Sequence, residues 1–419
     1  MEQSKIGDKL RNIEKRERDE GGENEKRSRE NRLWGRVKTC FLGRPIVFSE
    51  GQAGHWVEFI LRFFLHQMLL TPAYAVVIAF YATLFPKIGS GPLWDARIGL
   101  ERDRCVESWW ANIIYVNNYV NTDMLCMFQS WYIAADTQLF LISMFLVYTI
   151  WRWPTVGKIL LFVVLALSLA IPFVITLISR LDPLLMMFRA ELEDISSNAF
   201  FKHSYVKTHM RGTPYFLGVL LGYLVHRLQQ SNKKVPKIAV WFGWILSTFL
   251  LISSLYSSNV FYDPNYRYYA LDAAVFASLD KLGWSLGSSW IIFACVTKNA
   301  GPIEMFLTWK PIIPLSRLTY SAFLVNGVVV LHHLGTLRAP TYVEDISLIK
   351  ILISHVVVTF LLALVLSITF ESPLNAIQKI LLRKDHHTWK EEPTPPDDES
   401  LTKDETGGVF QMSGDDRDR

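Results

Sequence analysis

The sequence predicts an all-α polytopic integral membrane protein with about eight transmembrane helices and both termini in the cytoplasm. Half of the 419 residues are hydrophobic, mean hydropathy is positive, and apolar runs of near-spanning length recur along the chain. A hydrocarbon core roughly 30 Å thick needs about 20 apolar helical residues, and a helix satisfies its own backbone hydrogen bonds in lipid. The predicted spans are 66–86, 131–150, 157–179, 212–228, 237–256, 283–297, 314–334 and 348–370.

The charges of the connectors orient these spans. Connectors 151–158 and 227–237 carry Lys and Arg without any acid, and connector 298–317 holds three basic residues against Glu304. Short loops rich in Lys and Arg remain cytoplasmic. An even number of spans with this bias places both termini inside. Three longer loops then face outside: 87–130, 180–211 and 257–282.

The chain divides into three segments by composition. Residues 1–56 form a charged arm without an apolar signal core, and 385–419 form an acidic, Pro-rich tail. We expect both to be cytoplasmic and largely disordered, and we expect no cleavable secretory signal. Basic residues of the arm could touch anionic lipid, although a solvated tail is the simpler interpretation. Residues 57–384 form the predicted transmembrane domain.

The cysteines fit this topology. Cys105 and Cys126 fall in one predicted outer loop, which favours a disulfide, whereas Cys40 and Cys295 fall on the cytoplasmic side and should remain thiols. The same loop is crowded with aromatic residues, which prefer the membrane interface. It is therefore expected to form a short re-entrant or surface helix on the outer leaflet. The aromatic residues that crowd this stretch and the start of the next span are Trp109, Trp110, Tyr115, Tyr119, Trp131 and Tyr132.

Asp136 is an ionisable residue about one turn inside the second predicted span. Tyr132 precedes it by four residues and so shares its helical face, and Gln138 follows. Ionisable groups within spans face a bundle interior or a wet cavity. Lys281, at the outer entrance of the sixth span, is the expected partner on depth alone. The two interpretations are a structural ion pair and the lining of a polar cavity for a substrate head group.

Arg62 and His66 lie four residues apart at the inner end of the first predicted span. They suit a phosphate-bearing donor, because Arg matches phosphate geometry; the alternative is anchoring of the helix at the interface.

Further polar residues recur in the last two spans. Arg317 and Glu371 are expected to pair across the bundle, and Asn326 to bond a neighbouring helix. Three histidines could approach one another from adjacent helices, either for packing or as a base: His332, His333 and His355.

Several motifs are missing from the sequence. It has no Walker phosphate loop, no His-Glu-x-x-His zinc pair and no Gly-x-Ser-x-Gly nucleophile elbow. No internal repeat is visible, which disfavours an inverted-repeat transporter. We therefore predict no metal, no resident cofactor and no nucleic-acid partner.

A series of motifs in register resembles the acyltransferase 3 family, specifically its nose-resistant-to-fluoxetine branch, over about 60–385. The motifs are Leu70-Thr-Pro-Ala-Tyr-Ala, Gly91-Pro-Leu-Trp, Cys105…Trp109-Trp110-Ala-Asn-Ile-Ile-Tyr-Val-Asn-Asn118, Cys126…Trp131-Tyr-Ile-Ala-Ala-Asp136-Thr-Gln138, Gly218-Val-Leu-Leu-Gly222-Tyr, Trp290-Ile-Ile-Phe-Ala-Cys295, Pro314-Leu-Ser-Arg-Leu-Thr-Tyr320 and Glu371-Ser-Pro373.

The resemblance implies a membrane enzyme that moves acyl groups from acyl-CoA or a similar donor to a hydroxyl or amine. Such chemistry needs a general base and cations for the donor phosphates. The family's Arg-x-x-Arg pair falls here on His66 and Leu69, and a late His of the family falls on Asn326. We expect the family's Cys-rich N-terminal domain and first two spans, with their His, to be absent. The weak candidates for the base are His66, Asp136 and His332.

Two functional hypotheses follow. The first is a membrane-bound acyltransferase-like enzyme of the plasma membrane or endoplasmic reticulum, with an acyl donor and membrane lipids or a hydrophobic acceptor as partners. The second is a non-catalytic membrane protein that binds or transports lipids or hydrophobic drugs.

Overall fold

The computed structural model describes residues 70–186, 195, 198–231, 235–263, 265–339, 344–374 and 376. Within these ranges the regular structure is helical, and no strand occurs. The predicted arm and tail, with Arg62, His66 and Cys40, lie outside the described residues, so the predictions for them are untested. The main helices are α1 Leu70–Thr83, α2 Phe85–Ile88, α3 Leu100–Ile113, α4 Trp131–Arg152, α5 Pro154–Ser179, α6 Gly212–Ser231, α7 Lys237–Ser257, α8 Ala270–Val296, α9 Pro302–Leu307, α10 Ile312–Arg317, α11 Thr319–Thr336 and α12 Asp345–Leu366.

Among the described residues, four helical segments are long and apolar enough to cross a bilayer. Each of the eight predicted spans overlaps a helix, so the all-α, membrane-type fold class is confirmed, while the number of crossings and the orientation stay predictions. Large apolar side chains are exposed on α7, where Ile238 is 83% exposed and Trp241 is 73% exposed. Such continuous apolar surface is excluded from the exterior of a soluble monomer. The four segments are Phe128–Arg152, Pro154–Ser179, Lys237–Tyr262 and Asp345–Leu374.

The sixth predicted span is longer than its apolar run suggested. The run 283–297 is the second half of α8, which begins thirteen residues earlier at Ala270. The first half of α8 carries Asp272 and Lys281. Their charges lower the local hydropathy, so this half of the helix was not predicted from the apolar pattern. The predicted outer loop 257–282 is therefore partly helical.

Helices α4 to α8 form one bundle, in which α8 packs against α5, α6 and α7. Small hydroxyl side chains link its members. The Ser247 hydroxyl donates to the Gly287 carbonyl at 2.9 Å, and the Ser278 hydroxyl donates to the Leu169 carbonyl at 3.1 Å. Small polar residues at helix contacts allow close approach and supply hydrogen bonds, as is usual in membrane bundles.

A second bundle consists of α1, α3, α11 and α12 with the segment between α2 and α3. Its core contains Tyr74 and Tyr81 from α1, Trp94 and Ile98 from the segment that precedes α3, and Leu324 from α11. The helix predicted in the loop 87–130 is α3. One of its faces is buried in this core, and the other exposes Trp109 and Trp110. The loop is thus a packed part of the fold, not a layer over it.

Gly91 allows this segment to approach α11. A Cβ atom at Gly91 would lie 2.2 Å from the Gly335 carbonyl oxygen, which is backbone and cannot rotate away. We expect Gly91→Ala to lower the free energy of unfolding by about 2 kcal/mol, because overpacking must displace the segment from α11. Unfolding in mixed micelles measures this. Gly99→Ala is the matched control, since a Cβ there meets no atom within 4 Å; equal losses at both glycines would contradict the prediction.

Candidate functional site

The candidate site lies on α4 around Asp136, in the second turn of that helix. The Asp136 side chain is exposed, and Tyr132, one turn before it, is 54% exposed. Within the described ranges no Lys, Arg or His forms an ion pair or hydrogen bond with the Asp136 carboxylate. A carboxylate in a predicted span without a cation is costly, which marks the position as a candidate for ligand binding.

The predicted pairing of Asp136 with Lys281 is wrong. The Lys281 ammonium donates to the Met210 carbonyl at 2.9 Å, and the charged groups that act on it are Arg211 and Asp280. Depth in the bilayer alone does not fix which way a side chain points around a helix. Lys281 therefore supports the turn before α6 and leaves the carboxylate unpaired.

Two tyrosine rings lie near the carboxylate, and a phenylalanine ring packs against one of them. The ring centroids of Tyr132 and Phe323 are 5.7 Å apart, which brings α4 against α11. The Tyr215 phenol, on α6, lies beside Ser143 and within electrostatic range of Asp136 and Tyr132. We call Tyr132, Asp136, Tyr215 and Phe323 the Asp136 surface. It combines one negative charge with three rings contributed by three helices.

Gln138 does not share this surface, and of its two predicted roles, cavity lining or structural, its contacts favour the structural one. Its amide nitrogen donates to the Tyr115 carbonyl at 2.8 Å and to the Asn118 side-chain oxygen at 3.0 Å. Its side-chain oxygen accepts from the Thr208 hydroxyl at 2.6 Å. Residues two apart on a helix do not face the same way. Gln138 is therefore a structural residue that anchors α4.

Asn118 completes this anchor. It is fully buried, its amide donates to the Thr208 hydroxyl at 2.6 Å, and its carbonyl accepts from the Lys207 ammonium at 3.1 Å. Asn118, Gln138 and Thr208 thus tie the loop after α3, helix α4 and the turn before α6 together. Closed buried networks of this kind fix a unique geometry.

A neighbouring group of hydrogen bonds fixes the start of α4. The Asn117 amide donates to the Ser130 hydroxyl at 2.6 Å, and the Asn112 amide donates to the Cys126 carbonyl at 3.0 Å. Cys126 is disulfide-bonded to Cys105, as predicted. Together with the Asn118 anchor, these contacts set the direction of the helix that carries Asp136.

Arg211 also fixes the N-terminal end of α4. It is not among the site residues predicted from the sequence. Its guanidinium lies 4.3 Å from the ring centroid of Tyr205 and 5.2 Å from that of Trp131, and Nε donates to the Tyr205 carbonyl at 3.0 Å. Burial lowers the pKa of Arg211. The signal that could have revealed this contact is a run of basic residues in one predicted outer loop: Lys202, His203, Lys207, His209 and Arg211.

With this geometry known, comparison with known proteins gives one curated relative. The chain resembles Nose resistant to fluoxetine protein 6 of Caenorhabditis elegans. The two are 29% identical over 341 residues, a match that covers 78% of this chain and 41% of the relative. The chain thus spans less than half of that relative's length. No family model matches the chain. No solved structure matches it either.

This similarity supports the nose-resistant-to-fluoxetine part of the resemblance drawn from the motifs. The structure shows what one of those motifs builds. The run from Trp109 to Asn118 supplies Ala111 and Asn112 of the buried face of α3 and the three asparagines that fix α4. The wider acyltransferase 3 resemblance and the absence of N-terminal spans remain predictions.

Of the three histidines predicted to approach one another, two are in contact in the structure and the third is not. The rings of His333 and His355 are 5.0 Å apart, as the antiparallel packing of α11 and α12 predicts. The third, His332, points instead toward the edge of Trp94, with ring centroids 5.6 Å apart. No group of three metal-ligand side chains occurs among the described residues. His332 is therefore a packing residue in this arrangement.

The predicted pairing of Arg317 with Glu371 is also wrong. The Glu371 carboxylate accepts a hydrogen bond from the Ser321 hydroxyl at 2.8 Å, and no ion pair joins it to Arg317 in the described part of the chain. Asn326, expected to bond a neighbouring helix, is exposed. Its amide makes no hydrogen bond with the described residues. Among the residues nominated as a base, Asp136 and His332 have exposed side chains. His332 contacts Trp94, whereas no cation pairs with Asp136 among the described residues.

Proposed function

We propose that the chain is a membrane-bound acyltransferase-like protein. It transfers acyl groups, other than aminoacyl groups, from an acyl-CoA-type donor to a hydroxyl or amine of a lipid or small molecule. The order of the motifs and the C. elegans relative support this proposal. We further propose eight crossings with both termini in the cytoplasm, in the plasma membrane or the endoplasmic reticulum.

The observation that carries the proposal is the exposed carboxylate of Asp136, which has no cationic partner among the described residues and lies near the Tyr132 and Tyr215 rings. In the proposed step the acceptor's oxygen or nitrogen attacks the thioester carbonyl while Asp136 takes its proton. The carbon–sulfur bond breaks, the acyl group passes to the acceptor, and the CoA thiolate leaves and is protonated from Asp136. General base catalysis contributes about 10²- to 10⁴-fold to such reactions.

We expect Asp136→Asn to lower acyl transfer about 100-fold, because the amide cannot accept the acceptor's proton. The assay is transfer of a labelled acyl group from acyl-CoA to lipid or alcohol and amine acceptors by the full chain in liposomes. Glu304→Gln, a carboxylate on α9 away from the Asp136 surface, is the control. Full activity of Asp136→Asn would remove Asp136 from the mechanism, and no transfer by the unaltered chain would overturn the enzymatic proposal.

A second candidate is a non-catalytic protein that binds or transports lipids or hydrophobic drugs. It is favoured by the packing of His332 on Trp94, which leaves Asp136 without a described histidine to assist it. The relative's name refers to resistance to fluoxetine. Ligand binding without turnover would support this candidate. Turnover in this chain that is lost in His66→Ala would exclude it.

A further inference from the structure

We propose that the Asp136 surface binds the ammonium group of a long-chain amine, so that amines rather than alcohols are the ligands it selects. The inference deepens the proposed function, on which it rests for the role of the surface, by naming the class of acceptor. It depends on two features, the uncompensated charge of Asp136 and the rings near it.

The first feature is the negative charge of Asp136 and the groups that could neutralise it. Two of the described cations, Lys281 and Arg211, are engaged with other groups. Lys281 donates to the Met210 carbonyl, and Arg211 lies against the rings of Tyr205 and Trp131. In a medium of low dielectric constant, an unpaired carboxylate gains far more from a cation than from a neutral hydroxyl. An anionic head group would instead be repelled.

The second feature is the set of aromatic rings on the Asp136 surface. An ammonium group is attracted to the face of an aromatic ring, and the attraction grows when the group is removed from water. Tyr132 and Phe323 stand 5.7 Å apart between ring centroids, and Tyr132 shares the helical face of Asp136. An ammonium bound to the carboxylate therefore meets at least one ring without any rearrangement of α4 or α11.

The test compares three single-chain probes of equal tail length without any acyl donor: hexadecylamine, hexadecanol and palmitate. Binding to the full chain is measured at neutral pH in neutral dodecyl maltoside micelles. We expect the amine to bind about 20-fold more tightly than the alcohol and palmitate to bind more weakly than both. Asp136→Asn should weaken amine binding about 20-fold and change hexadecanol binding less than about twofold.

Two further variants keep the test decisive if Asp136→Asn fails to fold. Tyr132→Leu should weaken amine binding about fivefold, whereas Tyr132→Phe, which keeps the ring, should stay within about twofold. Asp136→Glu should retain the preference for the amine because it retains the charge. Equal affinity for the three probes, or an unchanged preference in Asp136→Asn, would overturn the inference. Acyl transfer to hexadecanol would remain separately measurable, so this failure is distinct from failure of the proposed function.

Discussion

Replacing both Cys105 and Cys126 with Ala is expected to lower the free energy of unfolding by about 3 kcal/mol. The bridge closes a loop with a sequence separation of 21 residues, and the entropy it removes from the unfolded chain sets this magnitude. Both sulfurs belong to fully buried residues of the second bundle. Loss of the bridge also loosens the Cys126 carbonyl, which accepts the Asn112 amide.

The measurement is equilibrium unfolding of the double variant and the unaltered chain in mixed micelles, with and without reductant. Reductant should destabilise the unaltered chain toward the level of the double variant and leave the double variant unchanged. Cys295→Ala is the control, because Cys295 is a free, half-buried thiol, and it should change stability by less than about 1 kcal/mol. Insensitivity of the unaltered chain to full reduction would contradict the prediction.

The second large effect is expected at Asn118. Asn118→Leu keeps the branching of the side chain at Cγ but removes the acceptor of the Gln138 amide and the donor to the Thr208 hydroxyl. Because these partners lie between packed helices, they cannot turn to water. An unsatisfied buried polar group costs about 1–3 kcal/mol, so we expect a loss of about 3 kcal/mol in the free energy of unfolding.

Asn326→Leu is the matched control, since it makes the same change at an exposed asparagine. It should alter stability by less than about 0.5 kcal/mol. A double-mutant cycle of Asn118→Leu with Thr208→Val then measures the coupling between the two side chains. Additive losses in that cycle would show that the hydrogen bond between them contributes little, contrary to the structure.

The helices were predictable because the signal for a lipid-facing helix is local. Apolar runs such as 157–179 and 348–370 identify themselves without knowledge of any partner. The first half of α8 was missed because Asp272 and Lys281 interrupt the apolar pattern. Helix α3 was harder to define, since its sequence is mixed and its buried face includes the polar residues Glu101, Arg104 and Asn112.

The sequence predicted the contacts of the candidate site only where both residues lie on the same helix. The shared face of Tyr132 and Asp136 follows from a four-residue spacing. The contact of Gln138 with Thr208 spans 70 residues, and no local pattern indicates it. The predicted pairing of Lys281 with Asp136 was wrong for the same reason: a contact distant in sequence decides the position of the side chain. The Lys281 ammonium donates to a carbonyl in the turn before α6.

The anchor formed by Asn118, Gln138 and Thr208 has a consequence for biosynthesis. Asn118 and Gln138 leave the ribosome long before Thr208, which follows Asn118 by 90 residues. Until then the nascent chain holds two amide side chains whose shared hydroxyl partner does not yet exist. Insertion of α5 must therefore precede final docking of α4. The intermediate in which α4 is inserted but not docked exposes unsatisfied amides, and we expect membrane chaperones to bind it.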